Sequence, residues 1–159
     1  MVLGDVYRQH YGGLLRLAWL LTGGDTQAAE DLVHDAFASL QPRLYRLRDP
    51  QAVVSYLRVS LINRSRTRFR RRVQELQLLQ SNRVEPVGDF QDDLVNADML
   101  AQMLAMLPRR QRQTVALRYW CDLSVEETSL TLGISPGTVK SNAAKGLNRL
   151  RRLLEGVER

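Results

Sequence analysis

Hydrophobic residues recur every three or four positions along most of the chain, and glycine or proline interrupts the pattern at intervals. This period matches the α-helix, so the sequence predicts an all-α protein. A first helix is expected over about residues 3–21, and a second from a cap at Asp25 or Thr26 to the proline at Pro42. Each should bury one face, because its apolar residues share one side of the helix.

A third helix is predicted to begin where Asp49 precedes Pro50, and its apolar face continues to about residue 62. The segment that follows, residues 64–72, carries six arginines and no acid. Such a density of like charge favours an end to the helix at that point, unless counter-charge lies nearby.

The apolar period weakens over residues 73–93, where acids accumulate and Pro86 interrupts any helix. Helical periodicity then returns from Leu94. A chain of 159 residues with 44% hydrophobic content can bury two small cores. The predicted architecture is therefore two small helical domains, residues 1–72 and 94–159, joined by a flexible acidic linker.

The last third of the chain contains two helix starts separated by a glycine. Ser124 is followed three residues later by Glu127, which is a capping-box pattern, and Gly133 can end that helix in the left-handed conformation. Ser135 followed by Pro136 then begins a second helix. Two short helices with this spacing predict a helix-turn-helix.

The second helix of this motif is amphipathic. Its apolar stripe is predicted to face inward and comprises Val139, Ala143, Gly146, Leu147 and Leu150. The opposite face carries short polar side chains and a cation that suit the DNA major groove, namely Thr138, Ser141, Asn142 and Lys145. An ordinary surface helix is the alternative. The preceding capped helix and the arginines that follow, Arg149, Arg151 and Arg152, favour DNA binding.

The net charge of +6 is distributed unevenly. Residues 64–72 contribute +6, residues 73–100 contribute −5, and residues 101–159 contribute +5. The first of these segments favours a polyanion as partner, because arginine presents forked donors to phosphate. Tyr56, for stacking, and Asn63, for hydrogen bonds to base edges, lie just before it, a combination typical of proteins that bind exposed bases. A basic tail that only aids solubility is the alternative.

Several function classes are not expected. No apolar run approaches a membrane span and the N-terminal residues do not resemble a signal peptide, so the protein is expected in the cytoplasm. With one cysteine, Cys121, and two histidines, neither a disulfide nor a metal site is expected, and no cofactor is implied. Cys121 is interpreted as a packing residue whose pKa the neighbouring acid raises. No nucleophile and base occur at catalytic spacing, so the chain is not expected to be an enzyme.

Three motifs in order, LTGGDTQAAEDLV, RYWCDLSVEET and GTVKSNAAKGL, resemble those of the extracytoplasmic-function (ECF) sigma factors of bacterial RNA polymerase, within the sigma-70 superfamily. They are most similar to the actinobacterial SigE-like branch. The resemblance implies a protein that binds core RNA polymerase and directs promoter-specific transcription initiation. Region 2, residues 1–72, would recognise and melt the −10 promoter element, and region 4, residues 94–159, would recognise the −35 element. The resemblance also suggests an anti-sigma factor as a regulatory partner.

The resemblance assigns roles to residues by position. Docking on the clamp coiled coil of the polymerase is assigned to Asp25, Glu30, Asp31, Leu32, Val33, His34 and Phe37. Recognition and melting of the −10 element is assigned to Tyr56, Leu57, Asn63, Arg64 and Arg66, together with Arg68 of the arginine-rich segment. Recognition of the −35 element is assigned to Thr138, Lys140, Ser141, Asn142 and Lys145, together with Arg149. The alternative for the acidic residues is a solvent-exposed helix face whose negative charge only complements the partial positive charge of the helix N-terminus.

One rival class is a stand-alone helix-turn-helix transcriptional regulator. It would account for the last 50 residues, but it leaves the first 72 without a role, since they show neither the strand pattern of a receiver domain nor a signal for a ligand pocket. A nuclease is a weaker rival, because the paired acids Asp92 and Asp93 fall in the predicted linker.

Overall fold

The computed structural model describes residues 2–78 and 97–157, and within them the chain is helical with no strand, which confirms the all-α prediction. Seven α-helices follow in order: α1 Leu3–Leu21, α2 Thr26–Leu40, α3 Pro50–Leu78, α4 Ala97–Ala105, α5 Arg109–Val115, α6 Val125–Leu132 and α7 Pro136–Val157. A 3-10 turn, Gln41–Arg46, follows α2, and a π-helical turn, Ala116–Trp120, extends α5.

The first three helices form the unit that the N-terminal periodicity predicted. Asp25 caps α2, because its carboxylate accepts a hydrogen bond of 3.0 Å from the backbone N–H of Ala28. The apolar stripe of α2 is buried against α1 and α3 over its whole length, through Ala29, Leu32, Val33, Ala36, Phe37 and Leu40. Pro42 lies in the 3-10 turn that follows, as its missing N–H donor requires.

Helix α3 does not end at about residue 62 as the charge pattern suggested, but continues to Leu78. The prediction was wrong because arginine is itself a good helix former, and residues spaced by two do not face each other across a helix. The segment is also anchored, since Ile62 and Ser65 are buried and the Ser65 hydroxyl donates to the Ile62 carbonyl at 2.8 Å. Residues 73–78 of the predicted linker are therefore helical, and the rest of it lies outside the described residues.

The helix-turn-helix forms at the predicted residues. The Ser124 hydroxyl accepts a hydrogen bond of 3.0 Å from the Glu127 N–H at the start of α6. Gly133 ends that helix with φ of 67°, the left-handed conformation that glycine adopts without steric cost. The Ser135 hydroxyl then accepts from the Thr138 N–H at 3.1 Å, and Pro136 begins α7.

The two units pack against each other within the described residues. Helix α1 contacts α4 and the π-helical turn, and α3 contacts α6. One continuous hydrophobic core results, in which Leu17 and Leu20 of α1 join Leu104 of α4 and Leu117 of the π-helical turn. Each of these four leucines is at most 2% exposed, so the contact is dry.

Arg112 lies at the centre of this contact with 7% of its surface exposed. Its guanidinium donates to the carbonyls of Leu104 at 3.0 Å, Leu107 at 3.1 Å and Ala105 at 3.3 Å, and more weakly to Leu21 at 3.5 Å. The Leu104, Ala105 and Leu21 carbonyls lie in the last turns of α4 and α1, where the backbone acceptors lack a full set of helical partners, and Leu107 lies just after α4. Burial, and then the nearby charge of Arg109, lowers the pKa of Arg112.

Candidate nucleic-acid and polymerase interfaces

Helix α7 presents a polar and basic face to solvent. The side chains exposed there are Thr138, Lys140, Ser141, Lys145 and Arg149, while Asn142 is half-buried. The Thr138 hydroxyl also shares a hydrogen bond of 2.8 Å with the Ser135 hydroxyl, which fixes it at the N-terminus of the helix. Hydroxyl, amide and ammonium groups therefore lie along one surface at a spacing that an α-helix can offer to a major groove.

The opposite face of α7 packs on α5. Val139, Ala143, Gly146 and Leu150 of the predicted stripe are buried. Leu147 is not, since 36% of its side chain is exposed. That part of the prediction was wrong because each residue turns the helix by about 100°, and Leu147 falls at the edge of the stripe once Gly146 makes the close contact.

On α3, Tyr56 is half-buried and its hydroxyl is held by Ser39. It lies 3.2 Å from both the Ser39 carbonyl and the Ser39 hydroxyl. The Arg43 guanidinium lies over the ring, 5.6 Å from its centroid, which is cation–π geometry. These contacts fix the orientation of the ring. The Arg43 guanidinium beside it can pair with a phosphate or lie next to a base stacked on the ring.

The other residues assigned to the −10 element differ in exposure. Asn63 is exposed, Arg64 is half-buried and donates to the Ser60 hydroxyl at 3.2 Å, and Arg66 is half-buried. Leu57 has no exposed surface, because it lies on the apolar stripe of α3 that the helical period predicted. Its assignment to the −10 element stays a prediction. Arg68 lies beyond the side chains described in α3.

The acidic residues assigned to polymerase docking lie along α2. Asp25 is engaged as the helix cap, and Asp31 accepts a hydrogen bond of 3.2 Å from the Gln27 amide. Glu30 and Asp31 are half-buried, whereas His34 is exposed. Several acceptors and one exposed imidazole thus share the outer surface of this helix.

Three residues of the same assignment do not reach that surface. Leu32, Val33 and Phe37 are 3%, 0% and 5% exposed, because they form the stripe that holds α2 on its neighbours. In this structure they hold α2 in place beneath the acidic residues, and their assignment to polymerase docking stays a prediction.

Two tyrosines of α1, which the sequence analysis did not single out, lie beside the outer surface of α2. The rings of Tyr7 and Tyr11 stack with centroids 4.6 Å apart, and Tyr11 stacks on His34 at 6.1 Å. Burial raises the pKa of Tyr11, helped by the Tyr7 hydrogen bond and the charge of Glu30. Their i, i+4 spacing in the sequence places both rings on one side of α1, but only the fold shows that this side lies next to α2.

A cavity of about 170 Å³ lies where α1, α3 and the π-helical turn meet, lined in part by His10, Arg58 and Cys121. Burial, and then the charge of Arg58, lowers the pKa of His10. Burial is also the main cause that raises the pKa of the Cys121 thiol, and Asp122 adds to it against the opposing effect of Arg58. The predicted direction for Cys121 is confirmed, with burial rather than the acid as the larger cause.

Within residues 2–78 and 97–157, no cluster of three or more histidine, cysteine or acidic side chains could hold a metal ion. In the same part of the chain, no helix combines the length and the apolar content needed to cross a bilayer.

Comparison with known proteins identifies the family. Residues 6–75 match the family Sigma-70 region 2, and residues 97–150 match the family Sigma-70, region 4. The RNA polymerase sigma-E factor of Streptomyces coelicolor is 34% identical over 147 residues, which cover 92% of this chain and 82% of that protein. The ECF RNA polymerase sigma factor SigM of Mycobacterium tuberculosis is 33% identical over 151 residues, covering 94% and 76%.

Solved structures agree on the fold. The sigma factor RpoE of Bartonella quintana, determined in complex with the anti-sigma factor NepR, superposes with a TM-score of 0.75 at 26% identity, over 95% of this chain and 97% of that one. This chain therefore belongs to the ECF sigma factors, the promoter-specificity subunits of bacterial RNA polymerase. Sigma factors are initiation factors rather than enzymes, in agreement with the prediction from the sequence.

Proposed function

We propose that this sigma factor divides its work among three helices: α2 docks on the polymerase, α3 recognises and melts the −10 element, and α7 reads the −35 element. The observation that carries the proposal is the two-sided character of α7. Its apolar side is buried on α5, while Thr138, Lys140, Ser141, Lys145 and Arg149 remain exposed on the other side. A helix held in this way can enter a major groove without losing its packing.

On α7 the side chains have separable roles. Asn142 can make paired hydrogen bonds to a base edge, which would give sequence preference. Lys140, Lys145 and Arg149 supply charge to phosphates, which strengthens binding without distinguishing bases. The helix-turn-helix is thus the duplex-binding part of the protein.

On α3 we assign Tyr56 to stacking on a base that leaves the duplex and Asn63 to reading a base edge. The Ser39 hydrogen bonds hold the Tyr56 ring, which lowers the entropy lost when a base stacks on it. Arg64, Arg66 and Arg68 would neutralise phosphates beside it. Stacking of this kind is worth about 1–3 kcal/mol per base.

On α2 we assign Glu30, Asp31 and His34 to the clamp coiled coil of the core polymerase, with Tyr7 and Tyr11 of α1 at the border of the contact. Carboxylates next to aromatic rings suit a basic partner surface, where a partly desolvated ion pair gains strength from the adjacent apolar area. Asp25 contributes by capping α2.

We further assign residues 1–72 to region 2, residues 94–159 to region 4 and the acidic segment between them to a linker. The protein is expected to act in the cytoplasm, where core polymerase and promoter DNA are found. An anti-sigma factor is a reasonable regulatory partner, because the similar sigma factor RpoE of Bartonella quintana was determined in complex with one.

The docking assignment is tested by the double variant Glu30→Lys/Asp31→Lys in the full chain. Reversing two charges on the outer surface of α2 should abolish co-purification with core polymerase, while circular dichroism stays that of the parent because the buried stripe is unchanged. The matched control is Asp5→Lys/Glu155→Lys, which makes the same charge change at two exposed sites elsewhere. Unchanged polymerase binding by the α2 variant, or equal loss by the control, would contradict the assignment.

A further inference from the structure

The cavity between α1, α3 and the π-helical turn is lined by side chains that none of the assigned surfaces uses. It measures about 170 Å³, several times the volume of about 30 Å³ that one water molecule occupies in the liquid. Its basic lining comes from His10 and Arg16 of α1 and from Arg58 of α3, and its apolar lining includes Leu17 and Trp120. The cavity can therefore hold a small molecule that combines an anionic group with a less polar part.

The basic side chains of the cavity lack a carboxylate partner. No acidic side chain of the described residues lines it, and neither Arg16 nor Arg58 forms an ion pair within that part of the chain. Asp122, which follows Cys121, is exposed and lies outside the lining. Half-buried Arg58 thus places a positive charge beside the cavity with no acid of the described segments to balance it, which favours an anion there.

The charge of Arg58 acts on two other groups of the lining. After burial, it is the second cause that lowers the pKa of His10. It also opposes burial, which is the main cause that raises the pKa of the Cys121 thiol. Both effects have the sign of a positive potential inside the cavity, because such a potential disfavours an imidazolium and favours a thiolate.

The backbone at the rim of the cavity is irregular. In the π-helical turn the Cys121 N–H donates to the Ala116 carbonyl at 3.2 Å, and Trp120 and Cys121 both line the cavity. Asp122 follows with a positive φ of 52°. Such turns, and residues other than glycine in the left-handed region, cost stability and are frequent at functional sites.

We propose that this cavity binds a small phosphate-bearing anion, held by Arg58 and Arg16, with Trp120 against its less polar part. Arginine suits phosphate because its fork presents two parallel N–H donors to two oxygens. The site is separate from the DNA-reading face of α3, since two residues turn a helix by about 200° and Arg58 therefore lies opposite Tyr56. A recess of this size has no room for a duplex, so the ligand is a free small molecule rather than the promoter.

Cys121 can serve as the reporter of the cavity, because it lines the site and is the only cysteine of the chain. In the full chain, without polymerase or promoter, its alkylation by the anion iodoacetate is compared with alkylation by neutral iodoacetamide. The ratio of the two rates is independent of the thiol pKa. We expect this ratio to be several-fold higher in the folded chain than in the urea-unfolded chain, because Arg58 attracts the anionic reagent.

Inorganic phosphate is the probe for the ligand. At an ionic strength held constant with sodium chloride, phosphate should slow the reaction of Cys121 with iodoacetamide several-fold. A short single-stranded DNA oligonucleotide, at the same concentration of phosphate groups, tests whether a DNA backbone is the source of the phosphate and should protect little. Because neither polymerase nor promoter is present, the result does not depend on the function proposed above.

Two charge-removing variants make the test specific. Arg58→Gln should lose the protection by phosphate, whereas Arg46→Gln, at an exposed position away from the cavity, should keep it. Circular dichroism checks the fold, and Arg16→Gln, at an exposed position of the lining, replaces Arg58→Gln if that variant is misfolded. Absence of protection in the parent chain, equal protection in the cavity variant and the Arg46→Gln control, or equal protection by the oligonucleotide would overturn the proposal.

Discussion

Gly146 of α7 lies directly against Val115 of α5: a Cβ atom on Gly146 would be 2.7 Å from the Val115 Cγ2 and 3.5 Å from the Gln111 Cβ. No real Cβ atom tolerates the shorter distance, so the glycine sets how closely the DNA-binding helix approaches its support. The contact places α7 with its polar face outward and Val139 and Leu150 in the core.

Gly146→Ala should therefore destabilise region 4 although alanine is the better helix former. We expect a loss of about 1–3 kcal/mol from overpacking, measured by denaturant unfolding of the full chain. Gly156→Ala on the same helix is the control, because nothing lies within 4 Å of the place that a Cβ atom on Gly156 would occupy. That change should be neutral or stabilising by up to about 1 kcal/mol. Equal behaviour of the two variants would show that the close contact does not matter.

Thr128 of α6 is fully buried, and its hydroxyl oxygen has no hydrogen-bond partner among the described residues. Thr128→Val should stabilise the protein by about 1 kcal/mol, since it removes a buried polar group without a partner and keeps the shape of the side chain. Thr131→Val, one turn away, is the matched control: the Thr131 hydroxyl donates to the Glu127 carbonyl at 2.8 Å, so its loss should bring no gain. Thermal unfolding of both variants measures the change in stability. A melting temperature of Thr128→Val below that of the parent would contradict the expectation.

Asp122, between the π-helical turn and α6, is the only residue other than glycine with positive φ in the described chain, at 52°. Asp122→Val should lower stability by about 1–2 kcal/mol, because a β-branched side chain is strained in the left-handed region. Asp122→Gly should lose no more than about 1 kcal/mol, since glycine adopts that conformation freely. Cys121→Val is the control for adding a β-branched side chain at a residue with negative φ, −93°. If denaturant unfolding gives equal losses for the valine variants at positions 121 and 122, the explanation from positive φ is contradicted.

The sequence was most informative where a structure depends on neighbouring residues. The boundaries of α1 and the caps at Ser124 and Ser135 follow from contacts within one turn of helix and are found as predicted. The cap of α2 is Asp25, one of the two residues that the sequence offered for it. The helix-turn-helix could be recognised for the same reason.

What could not be predicted depends on contacts between distant segments. The close approach of Gly23 to Ala105 joins the α1–α2 turn to α4, and the Tyr11–His34 stack joins α1 to α2, so neither leaves a periodic signal in the chain. Leu32 and Leu57 lie on apolar stripes that the helical period predicted, and both are buried. The resemblance assigned the same two positions to interfaces, because a position in a motif does not show which way its side chain points.

The most direct test of the account compares Asn63→Ala and Lys145→Ala in polymerase reconstituted with this chain. The template is a promoter taken from a genome-wide map of its binding sites, used as intact duplex and with a mismatch already opened at the −10 element. Initial binding, open-complex formation and transcript yield are measured on both. Asn63 stands for the strand-separating helix α3, and Lys145 for the duplex-reading helix α7.

The account predicts that Asn63→Ala binds the intact duplex as the parent does but opens it poorly, and that the pre-opened template restores much of its transcription. Lys145→Ala should bind both templates weakly and show a salt dependence that is shallower by about one unit of slope, because one phosphate contact is lost. If the pre-opened template rescues neither variant or both alike, or if Asn63→Ala fails already at duplex binding, the division of labour between α3 and α7 is contradicted.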